Sequence, residues 1–99
     1  MPQYVILWNW NEQGIKTAKD SLNRLSSFKK EMENAGGKVT TALYTFGEYD
    51  GILIVEAPND ETLARVLLAA RSSKGTFNSK TLKAFTETEA AKILEGLSS

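Results

Sequence analysis

Apolar residues along the chain follow two spacings, one typical of strands and one typical of helices. Residues 4–10 are almost continuously β-branched or aromatic, which predicts a central strand. Between positions 15 and 35, apolar residues recur every three or four positions, which predicts an amphipathic helix with its main part beginning near Ser21. Gly36 and Gly37 follow it as the residues that end a helix in the left-handed region.

The second half of the chain continues with the same two spacings. Residues 38–46 and 52–57 are predicted strands, joined by a turn over residues 47–51. A helix over 59–71, an edge strand over 76–85 and a last helix opened by a capping box at 86–89 follow. This order predicts an α+β fold, a ferredoxin-like βαββαβ unit with an extra C-terminal helix, in a single domain spanning residues 1–99.

Two helices on one face of such a sheet leave the other face uncovered. Strand alternation places Tyr4, Ile6, Trp8 and Trp10 on one face of the first strand. We expect the uncovered face to be a large apolar patch that includes both tryptophans, which is uncommon on monomers. A second copy is the simplest cover, so we predict a homodimer or a higher symmetric oligomer, packed sheet to sheet or as an α/β barrel.

Composition excludes several classes of function. Lys and Arg total 12 and Asp and Glu total 12, and the cations are scattered, which argues against a nucleic-acid partner. The chain has no Cys and no His, which excludes disulfides, thiol chemistry, the usual zinc sites and a His general base, so we expect no metal or cofactor. Neither a signal peptide nor an apolar run of about 20 residues is present, which predicts a cytoplasmic protein without membrane contact.

Strand directions bring several polar and aromatic residues to one rim of the predicted sheet. The first strand ends there, the turn lies there and the second helix finishes there, so Asn11, Arg71 and Lys74 belong to the same rim. Such a rim could bind a small polar metabolite. The candidate ligand-binding residues are Trp8, Trp10, Lys16, Glu48, Tyr49 and Asp50.

A purely structural interpretation stands beside this one. Gly47 and Gly51 are explained as turn glycines that tolerate positive φ. The two tryptophans are explained as core and interface residues. Lys16 and Arg71 are explained as solvated charges at helix ends, and Asp50 as a turn-forming residue. Glu48 and Asp50 as a carboxylate pair are only weak evidence for acid–base chemistry or for a hard cation.

The residues of the turn carry a family resemblance. Residues 47–51 read Gly-Glu-Tyr-Asp-Gly and resemble the motif of the GYD domain family, with Glu48 between the Gly and the Tyr of the motif. Residues 8–10, 13–16, 19–21, 36–39 and 80–86 are similar to that family as well. Family members often have Pro where Leu22 stands. The resemblance implies a bacterial or archaeal stand-alone domain of the dimeric α/β-barrel type, and it implies no particular function.

Three functions therefore compete. The first is a homo-oligomer that binds a small molecule at the exit of the first strand and the 47–51 turn. The second is a cofactor-independent enzyme, which without His or Cys would depend on Tyr, Asp, Glu or Lys. The third is a structural or interaction oligomer with a filled interior. We rank the small-molecule-binding oligomer first.

Overall fold

The computed structural model of the chain describes residues 1–97, except for the side chain of Lys74. The predicted domain also takes in residues 98 and 99, which lie outside the described part. No helix within residues 1–97 combines the length and the apolar character that crossing a bilayer requires. In chain order the elements are β1 (Gln3–Trp10), α1 (Glu12–Lys16), a 3-10 turn (Ala18–Asp20), α2 (Ser21–Asn34), β2 (Lys38–Tyr44), β3 (Gly51–Glu56), α3 (Asp60–Lys74), β4 (Phe77–Ala84) and α4 (Glu87–Glu95).

The four strands form one antiparallel sheet in the order β2-β3-β1-β4. The helices α2 and α3 connect strands that are not neighbours, so the predicted ferredoxin-like arrangement is confirmed. The second strand ends at Tyr44, two residues earlier than expected, and α3 continues past Arg71 to Lys74. The predicted capping box of α4 is present, with Thr86 and Glu89 exchanging backbone-to-side-chain hydrogen bonds.

The helices cover the sheet face that carries Tyr4 and Ile6. Both side chains are almost fully buried, and Val55 of β3 lies beside them under Met32 and Leu63 of the two long helices. Strand alternation puts the two tryptophans of β1 on this same covered face. The expectation that they lie on the uncovered face is therefore wrong. The sequence misled because both faces of β1 are apolar, so its pattern cannot say which face the helices take.

The uncovered face is nevertheless apolar. Its aliphatic side chains come from all four strands and are half-buried or exposed: Val5, Leu7, Leu43, Ile52, Ile54 and Leu82. The apolar side chains of α4 are exposed as well, with Ile93 at 52% and Leu94 at 62%. An aliphatic face therefore remains for a partner, but it contains no tryptophan.

A hydrogen bond joins Asp60, the first residue of α3, to Tyr4 of β1. The Tyr4 hydroxyl donates to Asp60 Oδ1, which also accepts from Lys83 Nζ at 3.3 Å. Burial, and then the hydrogen bond to Asp60, raise the pKa of Tyr4 to about 12. The hydrogen bonds from Tyr4 and then from Lys83 hold the pKa of Asp60 below its usual range.

This arrangement predicts a pH-dependent contribution of Tyr4 to stability. The folded state keeps the phenol protonated, so its contribution is complete below the ordinary pKa of 10.0 and is lost as the pH rises toward 12. We expect the free energy of unfolding of the wild type, measured with urea, to fall relative to that of Tyr4→Phe across this interval. A difference between the two proteins that is the same at pH 9 and above pH 11 would contradict the assignment.

Candidate functional site

A glycine at the start of the inner strand β3 makes room for an aromatic ring. Gly51 of β3 lies between Tyr44 of β2 and Trp8 of β1 in one row across the covered face. A Cβ on Gly51 would lie 2.3 Å from Cε2 and Cζ2 of the Trp8 indole, so the indole lies directly across the glycine. The explanation of Gly51 by positive φ is wrong, whereas Gly47 has φ of +133° as expected.

Three aromatic rings meet over this gap. The ring centroids of Trp8 and Tyr44 are 5.7 Å apart, edge to face, across Gly51. Trp10 lies 5.4 Å from Trp8 in a second edge-to-face contact and stacks on Tyr44 at 6.2 Å with an interplanar angle of 30°. These separations lie in the range of favourable aromatic pairs. The Tyr44 hydroxyl hydrogen-bonds Ser21 Oγ at 2.8 Å, which joins the cluster to the start of α2.

A cavity of about 100 Å³ lies between this aromatic cluster and the helices α2 and α3. Its walls are mainly apolar, with Phe28, Ala42 and Phe77 among the lining residues beside the three aromatic rings. Ser21 and Arg24 are among its polar lining residues, together with Ser27, Ser73 and Thr76. The lining also includes exposed residues, Ser27 and Glu31 of α2 among them, so the cavity is open to solvent.

Arg24 borders the cavity where α1 ends. Its Nη1 donates to the backbone oxygen of Thr17 at 3.0 Å and to Thr17 Oγ1 at 3.1 Å, and its Nη2 donates to the Gly14 oxygen at 3.4 Å. Gly14 is buried against the start of β4, where a Cβ would lie 2.0 Å from the Thr76 oxygen. Arg24 therefore donates to the carbonyl oxygen of a closely packed glycine and to two oxygens of the exposed Thr17.

The predicted rim forms through hydrogen bonds to the backbone. Asp50 Oδ2 accepts from the Trp10 amide at 3.0 Å, and the Asp50 amide donates to the Trp8 oxygen at 3.0 Å. Asn11 accepts from the Gly14 amide at 2.9 Å and donates to the Gly75 oxygen at 2.6 Å. The turn, the end of β1 and the end of α3 thus meet as expected, and Asp50 holds the turn against β1.

The structure brings only part of the candidate set to the cavity. Trp8 and Trp10 line it, whereas the carboxylate of Asp50 is engaged with the β1 backbone. Glu48 and Lys16 are exposed and do not line it, and Lys16 pairs with Glu12 at 3.6 Å.

Two further members of the rim also lie away from the cavity. Tyr49 is half-buried with Lys80 Nζ 6.0 Å from its ring centroid, and Lys80 belongs to the uncovered face. Arg71 is exposed and does not line the cavity, and the side chain of Lys74 is not described.

Sequence reasoning missed Tyr44, Arg24 and Ser21. Gly51, directly before the apolar run of a strand, was an available signal for Tyr44, because strand glycines often mark a close approach of another group, but it does not say which group approaches. The helical spacing of Ser21, Arg24 and Phe28 puts them on one face of α2, but the sequence does not show that a cavity faces them.

Comparison with known proteins agrees with the fold and the motif. The model of the GYD domain matches residues 4–94. The chain belongs to the GYD domain family. It is 31% identical over 85 residues to the "glutamine synthetase and cystathionine beta-lyase binding protein" of Thermus thermophilus, an alignment that covers 85% of this chain and 88% of that protein.

Solved structures show the same fold at low sequence identity. A protein of Thermus thermophilus superposes with a TM-score of 0.54 and 21% identity, covering 87% of this chain and 95% of that chain. The protein MtbAldR superposes with a TM-score of 0.57 and 17% identity, covering 87% of this chain. This GYD protein spans about half of MtbAldR, 53% of that chain.

Replacing Gly51 by Ala tests the contact with Trp8. The added methyl group meets the indole, so we expect a loss of stability of about 1–3 kcal/mol, as for other overpacked sites, and a changed near-ultraviolet circular dichroism spectrum. Gly47→Ala is the control, because nothing lies within 4 Å of a Cβ there and its cost comes from the backbone alone. If the double variant with Trp8→Leu shows no coupling to Gly51→Ala, the contact does not govern the site.

Proposed function

We propose that this GYD protein is a small-molecule-binding domain of a homo-oligomer, with its site in the cavity beside Trp8, Trp10 and Tyr44. The observation that supports this best is a cavity of about 100 Å³ walled by aromatic rings and open to solvent. Binding pockets combine mostly apolar walls with a few polar groups that fix orientation. Here Ser21 and Arg24 are such groups.

The size and lining of the cavity limit the ligand. An apolar cavity of roughly 150 Å³ accepts benzene. At about 100 Å³ this cavity is smaller but open to solvent, so it admits a short branched chain, or one ring that partly extends into the opening. The sequence suggested a polar metabolite, because the rim contains Lys16 and carboxylates. The walls instead favour a ligand with an apolar body, since a buried polar group without a hydrogen-bond partner is costly.

Intrinsic fluorescence tests this proposal directly, because the chain has 2 tryptophans and both lie at the cavity. We expect saturable changes in emission when a single-ring probe such as benzamide is added. Ala42→Leu fills the cavity and should weaken this binding about tenfold or more, which is about 1.4 kcal/mol or more. Ala69→Leu, on an exposed position of α3, is the matched control and should bind like wild type.

Equal benzamide affinity in wild type and Ala42→Leu would contradict the site. No saturable change with any single-ring probe would contradict the proposed function itself. Thermal unfolding of both variants checks that each is folded.

The homo-oligomer is proposed on the aliphatic face of the sheet. Val5 and Ile54 are paired at its middle, with Leu7 and Ile52 as the next pair. Contiguous exposed apolar patches above roughly 300–600 Å² are uncommon on monomers and mark interfaces. A copy related by twofold symmetry presents the same face and covers it, as the dimeric α/β-barrel type requires.

A charge at the centre of this face should separate the copies. We expect wild type to be a dimer or larger by light scattering after size-exclusion chromatography, and Ile54→Glu to weaken association by more than about a hundredfold because it buries an unpaired carboxylate. Leu68→Glu, at an exposed position of α3, is the control and should leave the mass unchanged. A wild-type monomer at micromolar concentration would contradict this part of the proposal.

An interaction role is the second candidate. It is supported by the name of the Thermus relative, which describes binding to enzymes, and by the exposed Ile93 and Leu94 of α4. Binding to glutamine synthetase that persists in Ala42→Leu but fails after Ile93→Glu would favour it.

An enzyme is a weaker candidate, since Tyr4, with its raised pKa, lies outside the cavity lining. Cytoplasmic location and bacterial origin stay predictions from the sequence.

A further inference from the structure

The polar groups of the cavity indicate the chemical class of the ligand. We propose that the site binds a small monocarboxylate with an apolar body, whose carboxylate is held by Arg24 and whose body lies against Trp10 and Tyr44. This rests on the proposed function, because it assigns the ligand of the same cavity.

Arg24 has hydrogen-bond donors that the described part of the chain does not use. A guanidinium has five N–H donors. The three hydrogen bonds to Gly14 and Thr17 run from Nη1 and Nη2, and none runs from Nε. Within residues 1–97, Nε therefore keeps its hydrogen without an acceptor, and Nη2 keeps one of its two. Adjacent guanidinium nitrogens with free hydrogens are the arrangement that binds a carboxylate by donating two parallel hydrogen bonds.

Arg24 also has no ion-pair partner among the residues that the structure describes. The ion pairs found within residues 1–97 involve Lys16, Lys38, Arg65 and Lys83, and none involves Arg24. The side chain is half-buried and lines a cavity with mainly apolar walls, where charge-assisted hydrogen bonds are stronger than in water. An anionic group is therefore the best match for this end of the cavity.

The spacing of residues along α2 predicts which end of the cavity the carboxylate of the ligand occupies. Arg24 and Phe28 line the cavity one turn apart, and Glu31 lines it further along. Seven residues of helix separate Arg24 from Glu31, a rise of about 10 Å, which is about one Debye length at physiological salt. A carboxylate beside Arg24 thus stays about 10 Å from Glu31, which weakens their repulsion, whereas the reverse orientation would place it next to a like charge.

Arg24 also closes the end of α1, so a test must separate ligand binding from a structural role. The probes are benzoate and benzamide, which share a ring and differ in charge. Affinities are measured by tryptophan fluorescence for wild type, Arg24→Gln and Arg65→Gln. Arg65 lies on α3 with a side chain 70% exposed, so its replacement makes the same change in charge away from the cavity.

We expect wild type and Arg65→Gln to bind benzoate at least about tenfold more tightly than benzamide, and Arg24→Gln to lose this preference while it keeps its affinity for benzamide. Glu31→Gln should bind benzoate as well as wild type or better. If benzamide binds and benzoate does not bind more tightly in wild type, the carboxylate assignment fails and the cavity site stands. If Arg24→Gln weakens both probes equally, Arg24 acts on the structure alone and the assignment fails. If neither probe changes the fluorescence of any protein, both this assignment and the proposed function fail.

Discussion

The close approach of Trp8 to Gly51 is the constraint on which the site depends. A side chain on Gly51 would occupy the space of the indole, so the glycine is required by its neighbour on β1. The gap lets Trp8 and Tyr44 meet edge to face across a strand that separates them, at 5.7 Å between ring centroids. Tyr44 then reaches Ser21 on α2. Because Gly51 has no side chain, Trp8 of β1 and Tyr44 of β2 can meet across β3, and Tyr44 can reach α2. These contacts form one wall of the cavity.

The GYD motif shapes the site in two ways: Gly51 allows the contact with Trp8, and Asp50 hydrogen-bonds the backbone of β1. Asp50 accepts from the Trp10 amide and donates to the Trp8 oxygen, so the turn is fastened to the strand that carries both tryptophans. The motif residues therefore support the site from outside, and Tyr49 lies toward the uncovered face, near Lys80. The two faces of the sheet have separate roles in this account: the covered face holds the cavity, and the aliphatic face is proposed to associate with another copy.

Much of the fold could be predicted because each element has a local cause. The capping box at Thr86, the left-handed glycine at Gly36 and the change of apolar spacing after β1 all depend on nearby residues. The face of the tryptophans could not be predicted, since Val5 and Leu7 are as apolar as their neighbours. Which face of β1 is buried depends on the face against which α2 and α3 pack, and the sequence of β1 does not contain this information.

The candidate site was predicted in part for the same reason. Strand directions placed Trp10 and Asp50 at one rim, because the order of elements determines where strands end. Arg24 was missed because its partners are backbone oxygens of Gly14 and Thr17, which have no signature in the sequence. The most direct test is a crystal structure of the protein soaked with benzamide, since the cavity is open to solvent and a single ring can enter it. We predict benzamide between the Trp8 ring and Phe28. A cavity filled by side chains, or benzamide bound only elsewhere, would contradict this.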